Sequence, residues 1–270
     1  MSTLDYSGSR GIRASISSEI KRTSSFISTF VRRSGANGVV LGLSGGVDSS
    51  VVASLCVKAL GARKVLGVLL FDDETRGSLD FKDAQKLAKE LRLKTLELPI
   101  SDIIKVVERS LRNAGQSSTR LTRANIKART RMILLYAIAN QKNLLVAGTG
   151  DRSEILVGYF TKFGDGAADF LPIAHLYKTE VRALASTLRL PYTVVTKPSS
   201  PNLWKGQKAS DELPAEYEVL DRILIDIFEK HMGEKDVARE LGIPRSLVRN
   251  TIELNKKTRH KREPVAFPER

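Results

Sequence analysis

Val39–Val52, VVLGLSGGVDSSVV, decides how the rest of the chain is read. Val39 to Leu43 is apolar apart from Gly42 and follows a Gly-containing turn, the mark of a short buried strand. Ser44-Gly45-Gly46-Val47-Asp48-Ser49 comes next, and Ser50-Val51-Val52-Ala53-Ser54-Leu55 then has the apolar spacing of a helix packed on that strand. The expected unit is strand, tight loop, helix. Gly45 and Gly46 let the backbone approach a ligand and turn its N–H groups toward it, while the helix N-terminus adds partial positive charge. Such a loop cradles an anion. No Lys follows the glycines, so the Walker pattern is absent. Asp48 instead puts a carboxylate in a site suited to phosphate, which implies Mg²⁺ between the two.

Working outward, strands and helices alternate. Residues from about Ser9 to Arg33 carry Ile12, Ile16, Ile20, Phe26, Ile27, Phe30 and Val31 at helical spacing, and Ser34 to Gly38 ends that helix. Val65 to Phe71 is a second apolar strand, followed by the polar loop Asp72 to Gly77. A helix over Phe81 to Leu91, a third strand over Thr95 to Leu98 and a helix over Asp102 to Arg112 come next. Asn113 to Thr122 is polar, and a long helix starts at Arg123, basic in its first half and apolar in its second. Leu144 to Gly148 is a fourth strand, with Thr149 to Glu154 at its end and a loop rich in Gly, acids and aromatics after it. Tyr177 to Leu190 returns to helix, and Lys197 to Gln207 is a Pro/Ser/Gly segment that cannot be helical. This alternation predicts an α/β fold, a doubly wound parallel sheet flanked by helices in a single domain over 1–270. Its parts are an N-terminal helix (9–34), a nucleotide-binding sheet (39–190) and a C-terminal helical extension (191–270). Strand-end loops of such sheets gather at one site.

Composition narrows the function. The chain has 270 residues and a formal net charge of +14, which suits either a nucleic acid or a polyanionic small molecule. Lys and Arg are spread along the chain and aromatics are only 6%, which favours the small molecule and no nucleic acid. Asp236 to Leu254 has the helix, Gly-turn, helix look of a DNA-reading motif, but any antiparallel helix pair with such a turn shares it. No apolar run is long enough to span a bilayer, so no membrane partner and a cytoplasmic location are expected. One cysteine, Cys56, excludes an internal disulfide, and its place on an apolar helix face makes it a packing residue.

The S-G-G-V-D-S wording is similar to the signature of the ATP pyrophosphatases, which cleave ATP between its α- and β-phosphates. LGLSGGVDSS, NIKARTRM, GTGDRSE, GYFTKFGDGAAD, LPIAHLYKTEV, LWKGQ and RHKREP together resemble one member of that group, ammonia-dependent NAD synthetase of the archaeal, single-domain type. The resemblance implies a Rossmann-like fold of the adenine nucleotide alpha hydrolase kind. It implies ATP-dependent amidation of nicotinic acid adenine dinucleotide by ammonia through an acyl-adenylate, with AMP and pyrophosphate released. It also implies a homodimer.

Carried over by residue, the resemblance gives Gly42, Leu43, Ser44, Gly45, Gly46, Val47, Asp48 and Ser49 to the ATP phosphates. It gives Asp48 and Glu154 to Mg²⁺, and Thr149, Lys178 and Ser200 to ATP. Arg129, Lys162, Asp169, His260 and Lys261 would bind the acid dinucleotide. On composition alone, Asp169 is the candidate to select and deprotonate ammonium. Each has a structural alternative: a solvated charge for Arg129, an ion pair for Lys162 and Asp169, a helix-start acid for Glu154, a mobile basic tail for His260. Two departures from the family pattern, Gly166-Ala167 and the stretch Lys208 to Pro214, bear on how the loops close.

Overall fold

In the computed structural model, which describes residues 10–204 and 206–268, the long helix α1 (Arg10–Ser34) leads into β1 (Gly38–Gly42) and α2 (Val47–Leu60). β2 (Val65–Phe71), α3 (Leu79–Glu90), β3 (Lys94–Pro99), α4 (Ser101–Asn113), α5 (Arg120–Lys142) and β4 (Leu144–Val146) complete the sheet region. The four strands are parallel in the order β3-β2-β1-β4. The direction of winding therefore reverses between β1 and β4, and the crevice outside their carboxyl ends is where a ligand is expected in such a sheet.

The alternation within β1 assigns its two faces. Val39 and Leu41 join residues of α1, α2 and the later helix α7 (Lys178–Thr187) in the larger core, with Ile27, Val51, Leu55, Val181 and Leu184 fully or nearly fully buried. Val40 points the other way, packing with Leu66, Val68, Val146 and Ala139 beneath α5. Cys56 is buried, and burial pushes its thiol up to about 12, consistent with a packing role.

The strand boundaries agree with the sequence reading to within a residue or two. Two helices do not: α5 begins at Arg120 rather than Arg123, because Thr119 caps it, its Oγ1 accepting from the Thr122 N–H at 3.1 Å. α7 ends at Thr187, three residues before the expected Leu190, and Ser9 of the expected first helix lies outside the described residues.

After β4 come α6 (Arg152–Val157), α7 (Lys178–Thr187), α8 (Tyr192–Thr196), α9 (Tyr217–Phe228), α10 (Glu234–Leu241), α11 (Arg245–Lys257) and α12 (Arg259–Arg262). α10 and α11 are the pair that imitates a DNA-reading motif. Val237 and Val248 are fully buried against Ile223 of α9, so apolar packing accounts for the pattern. α9 is joined to the sheet region by polar bonds: Asp221 accepts from Ser153 Oγ at 2.5 Å and from the Thr179 N–H at 2.8 Å.

Candidate functional site

The glycine loop emerges from β1 and turns into α2 across Gly45, whose φ is +77°. Ser44 and Ser49 brace it from inside, Oγ to Oγ 3.0 Å, while Ser50 Oγ donates to Gly46 O at 2.7 Å. Gly46 stands at the N-cap with no side-chain cap bond, which leaves the first-turn N–H groups of α2 for a ligand. The loop borders a pocket lined by Gly42, Leu43, Ser44, Asp48 and Ser49 on one side and by Gly148, Thr149 and Glu154 on the other. Ser200, also predicted, lines it together with the rest of the segment 199–203.

Behind the loop lies the strongest electrostatic feature. Lys178, fully buried at the first position of α7, places its Nζ 2.7 Å from Asp48 Oδ2, 2.8 Å from Asp151 Oδ2 and 2.9 Å from Glu154 Oε1. Burial alone would pull the ammonium down, but the Asp151, Asp48 and Glu154 carboxylates outweigh it and hold Lys178 well above the usual lysine value. Burial pushes Asp151 up to about 6, and burial with the Asp151 charge pushes Glu154 well up. Asp151 and Glu154 form a capping box at the start of α6, which fixes their separation. Glu154 is thus a helix-start acid and a wall of the pocket at once.

Three carboxylates around one ammonium leave negative charge unsatisfied, and Asp48 Oδ1 is buried with no partner. An all-oxygen donor set with a charge deficit fits a hard divalent cation. Among the described residues no three acidic, His or Cys side chains converge as a ready-made metal cluster. Mg²⁺ commonly takes one or two carboxylates and completes its shell with substrate phosphate and water, so that arrangement is compatible with it.

A second, basic group gathers around the loop after α6, from α5, that loop and α12. Arg129 donates to Lys162 O at 3.3 Å, Lys162 Nζ to His260 O at 2.6 Å, and Lys261 Nζ to both Gly158 O and Phe160 O at 2.7 Å. Four of the five residues predicted for the dinucleotide are therefore brought together, and the C-terminal basic run is a bonded helix through Arg262. Asp169 stands apart. Its Oδ2 accepts from the Val146 N–H at 2.7 Å and its Oδ1 from Tyr136 Oη at 3.3 Å, and it is not among the residues lining the pocket.

Asp151 was missed by the sequence reading, although its D-x-x-E spacing with Glu154 announces a capping box. Tyr217 was also missed: its ring lies 5.2 Å from Lys178 Nζ, and no local pattern in the C-terminal extension marks it.

A family model described as NAD synthase matches residues 19–265. The chain belongs to the NAD synthase family. Among members of this family, the NH(3)-dependent NAD(+) synthetase of Hyperthermus butylicus is 46% identical over 244 residues, 90% of this chain and 87% of the relative. The NH3-dependent NAD synthetase of Campylobacter jejuni superposes with a TM-score of 0.79 at 30% identity, covering 94% of this chain and 99% of the other. An NMN synthetase of Francisella tularensis superposes with a TM-score of 0.82, also at 30% identity, over 94% and 98%. Membership of the NAD synthase family agrees with the parallel sheet and with a glycine loop lacking the Walker lysine.

Proposed function

We propose that the protein is a carbon–nitrogen ligase that converts nicotinic acid adenine dinucleotide to NAD, using ATP and ammonia. The observation that carries this reading is the buried Lys178 with Asp48, Asp151 and Glu154 directly behind an uncapped glycine loop, in a chain of the NAD synthase family.

A carboxylate resists amide formation because its oxygen is a poor leaving group. In the proposed reaction an oxygen of the nicotinate carboxylate attacks the α-phosphorus of ATP, the bond to the bridging oxygen breaks, and pyrophosphate leaves with the electron pair. Ammonia then attacks the acyl carbon and AMP departs. Residues 42–49 orient the phosphates through backbone N–H groups, with Ser44 and Ser49 holding the loop's shape. Thr149, Ser200 and Lys178 hold the nucleotide, Lys178 by fixing the carboxylates and adding positive charge behind the phosphates. Asp48 and Glu154 would hold Mg²⁺, which when bound supplies charge neutralisation for the departing pyrophosphate.

Arg129, Lys162, His260 and Lys261 bind the acid dinucleotide. Asp169, which accepts from the N–H of the pocket-lining Val146, also binds it and takes the proton of ammonium, a role that Asp169→Asn tests: kcat falls and the loss shrinks as pH rises and free ammonia becomes abundant. A change in thermal stability with unchanged kcat would leave Asp169 only its bonds to Val146 and Tyr136.

The chain acts as one domain of three parts, 9–34, 39–190 and 191–270, in a cytoplasmic homodimer. Exposed apolar side chains on α1 (Phe26), α4 (Ile103, Val106, Val107) and α5 (Leu121, Ile133) support a dimer face, checked by sedimentation. Among the described residues no helix is long and apolar enough to cross a membrane.

The deciding experiment mixes purified protein, ATP, Mg²⁺, the acid dinucleotide and ammonium, and follows NAD, AMP and pyrophosphate. Release of ADP and orthophosphate would refute the reading. The acid mononucleotide is included as a competing acceptor, and its preferential use would reassign the substrate.

A further inference from the structure

The pocket has a charge problem that the residues assigned so far do not solve. Four acidic side chains line it, Asp48, Asp80, Glu154 and Asp165, yet a nucleoside triphosphate is itself strongly anionic. Lys178 is committed to three carboxylates behind the loop. Among the described lining residues, the one cationic side chain is Arg131, which none of the roles above includes.

Arg131 lies on α5 one turn beyond Lys127, on the stretch of α5 that covers β1 and β4. Its Nε is buried and has no hydrogen-bond partner. The acids near enough to act on it are Asp72 and Asp165, and both are engaged elsewhere. Asp72 Oδ2 is held by Lys127 Nζ at 2.5 Å and Asp72 Oδ1 by Thr75, while Asp165 Oδ1 accepts from the Thr161 N–H at 2.9 Å. Burial lowers the Arg131 pKa, the sign of a desolvated guanidinium, which still remains charged. A guanidinium whose buried Nε lacks a partner is costly, and a protein tolerates that cost where a ligand supplies the missing anion. The planar fork of a guanidinium matches a phosphate in two parallel hydrogen bonds, which a lysine cannot do.

We infer that Arg131 binds a phosphate group of the bound nucleotide, as the single side-chain cation that the described lining residues present. The inference rests on the reading of this pocket as an ATP site. Arg131 reaches the pocket from α5 while the glycine loop borders it from β1 and α2, so the triphosphate is held by backbone dipoles and a guanidinium together.

The test compares Arg131→Met and Arg131→Lys with the unaltered protein, using calorimetric titration with Mg²⁺–ATP, ligand-observed NMR with adenosine, and melts without ligand. For Arg131→Met, ATP affinity falls about 10- to 100-fold, the range for losing a hydrogen bond to a charged group, while adenosine binding is unchanged. Arg131→Lys recovers part of the loss. The ligand-free melting temperature of Arg131→Met stays level or rises, because its Nε has no partner and the burial of the charge outweighs the pull of Asp72 and Asp165. Equal losses for ATP and adenosine, unchanged ATP affinity, a raised KM confined to the acid dinucleotide, or a lower ligand-free melting temperature would each overturn the assignment. If the unaltered protein binds no ATP at all, the functional reading fails instead.

Discussion

Gly45 sits against the backbone carbonyl of Asp80: a Cβ built on Gly45 would lie 2.0 Å from Asp80 O. The glycine loop and the start of α3 are thus in backbone contact, and no side chain can come between them. Gly45 also has φ +77°, a left-handed conformation that costs an L-residue about 1–2 kcal/mol. Gly45→Ala therefore meets two penalties, backbone strain and a steric overlap that only movement of the loop or of α3 relieves. Gly35, at φ +70° with nothing within 4 Å of its built Cβ, is the control with strain alone. In urea denaturation Gly45→Ala should lose clearly more stability than Gly35→Ala, and its ATP affinity should fall while that of Gly35→Ala holds. Equal losses would show that the loop gives way easily.

Lys127 is 1% exposed, and Asp72, which holds it, is 5% exposed. Burial would raise the Asp72 pKa, but hydrogen bonds from Lys127 and Thr75 outweigh it and hold the carboxyl below its ordinary 3.8. A depressed folded pKa contributes stability that is present above the unfolded value and is lost as pH falls through the folded one. Asp72→Asn should destabilise the protein near neutral pH by leaving the buried ammonium only the half-exposed Glu74 at 3.2 Å, a cost below the roughly 3–5 kcal/mol of a fully stranded charge, and the difference from the unaltered protein should shrink below about pH 4. Asp72→Asn combined with Lys127→Met should regain much of the loss. A cost that does not vary with pH would mean the pair is not what the substitution breaks.

At Lys178 the sign is opposite. The raised Asp151 pKa of about 6 means that its contribution is present below the unfolded value near 3.8 and is lost as pH rises through 6. Lys178→Met removes the charge that restrains this rise, so the loss should grow and move to higher pH. The variant should be inactive and should melt lower at pH 8 than at pH 5 by a wider margin than the parent. Mg²⁺ should raise its melting temperature more than the parent's, since the cation would replace the lost ammonium. A variant whose melting responds to neither pH nor Mg²⁺ would deny that the three carboxylates repel one another.

The pocket-lining segment 199–203 is tied down through Asp80. Lys197 Nζ bonds Asp80 Oδ1 and also reaches Asp83 Oδ2 at 2.9 Å, while Asn202 Nδ2 donates to Asp80 Oδ2 at 2.6 Å. Further along, Arg120 lies over the Trp204 ring, 4.8 Å from its centroid. Asp80→Ala should free Ser199 to Leu203, raising KM for ATP more than it lowers kcat and speeding proteolysis within that segment. Unchanged proteolysis would place the restraint elsewhere.

Much of this was legible in the sequence because strands buried on both faces read as apolar runs. Val39 to Leu43 and Val65 to Phe71 needed no alternation to be seen, and the glycine loop between strand and helix announced its own conformation. Arg131 was hidden within a run of basic residues, where spacing alone does not say which charge turns inward. Asp80 was hidden because its partners, Lys197 and Asn202, are more than a hundred residues away along the chain. The start of α5 was misplaced because Thr119 lies in a stretch rich in Ser and Thr, any of which can cap. The helix pair at the C-terminus could not be assigned from its own pattern for a related reason: an amphipathic helix with a basic outer face looks the same whether its apolar side meets α9 or another helix.

The Ser153–Asp221–Thr179 bonds fasten α9 to α6 and α7, the helices that carry Glu154 and Lys178. The last third of the chain is therefore a retaining wall for the acid cluster. A shortened version ending near Leu190 would lose that support, and its loops would have no reason to keep their spacing. Heating should melt both regions together, as one cooperative event.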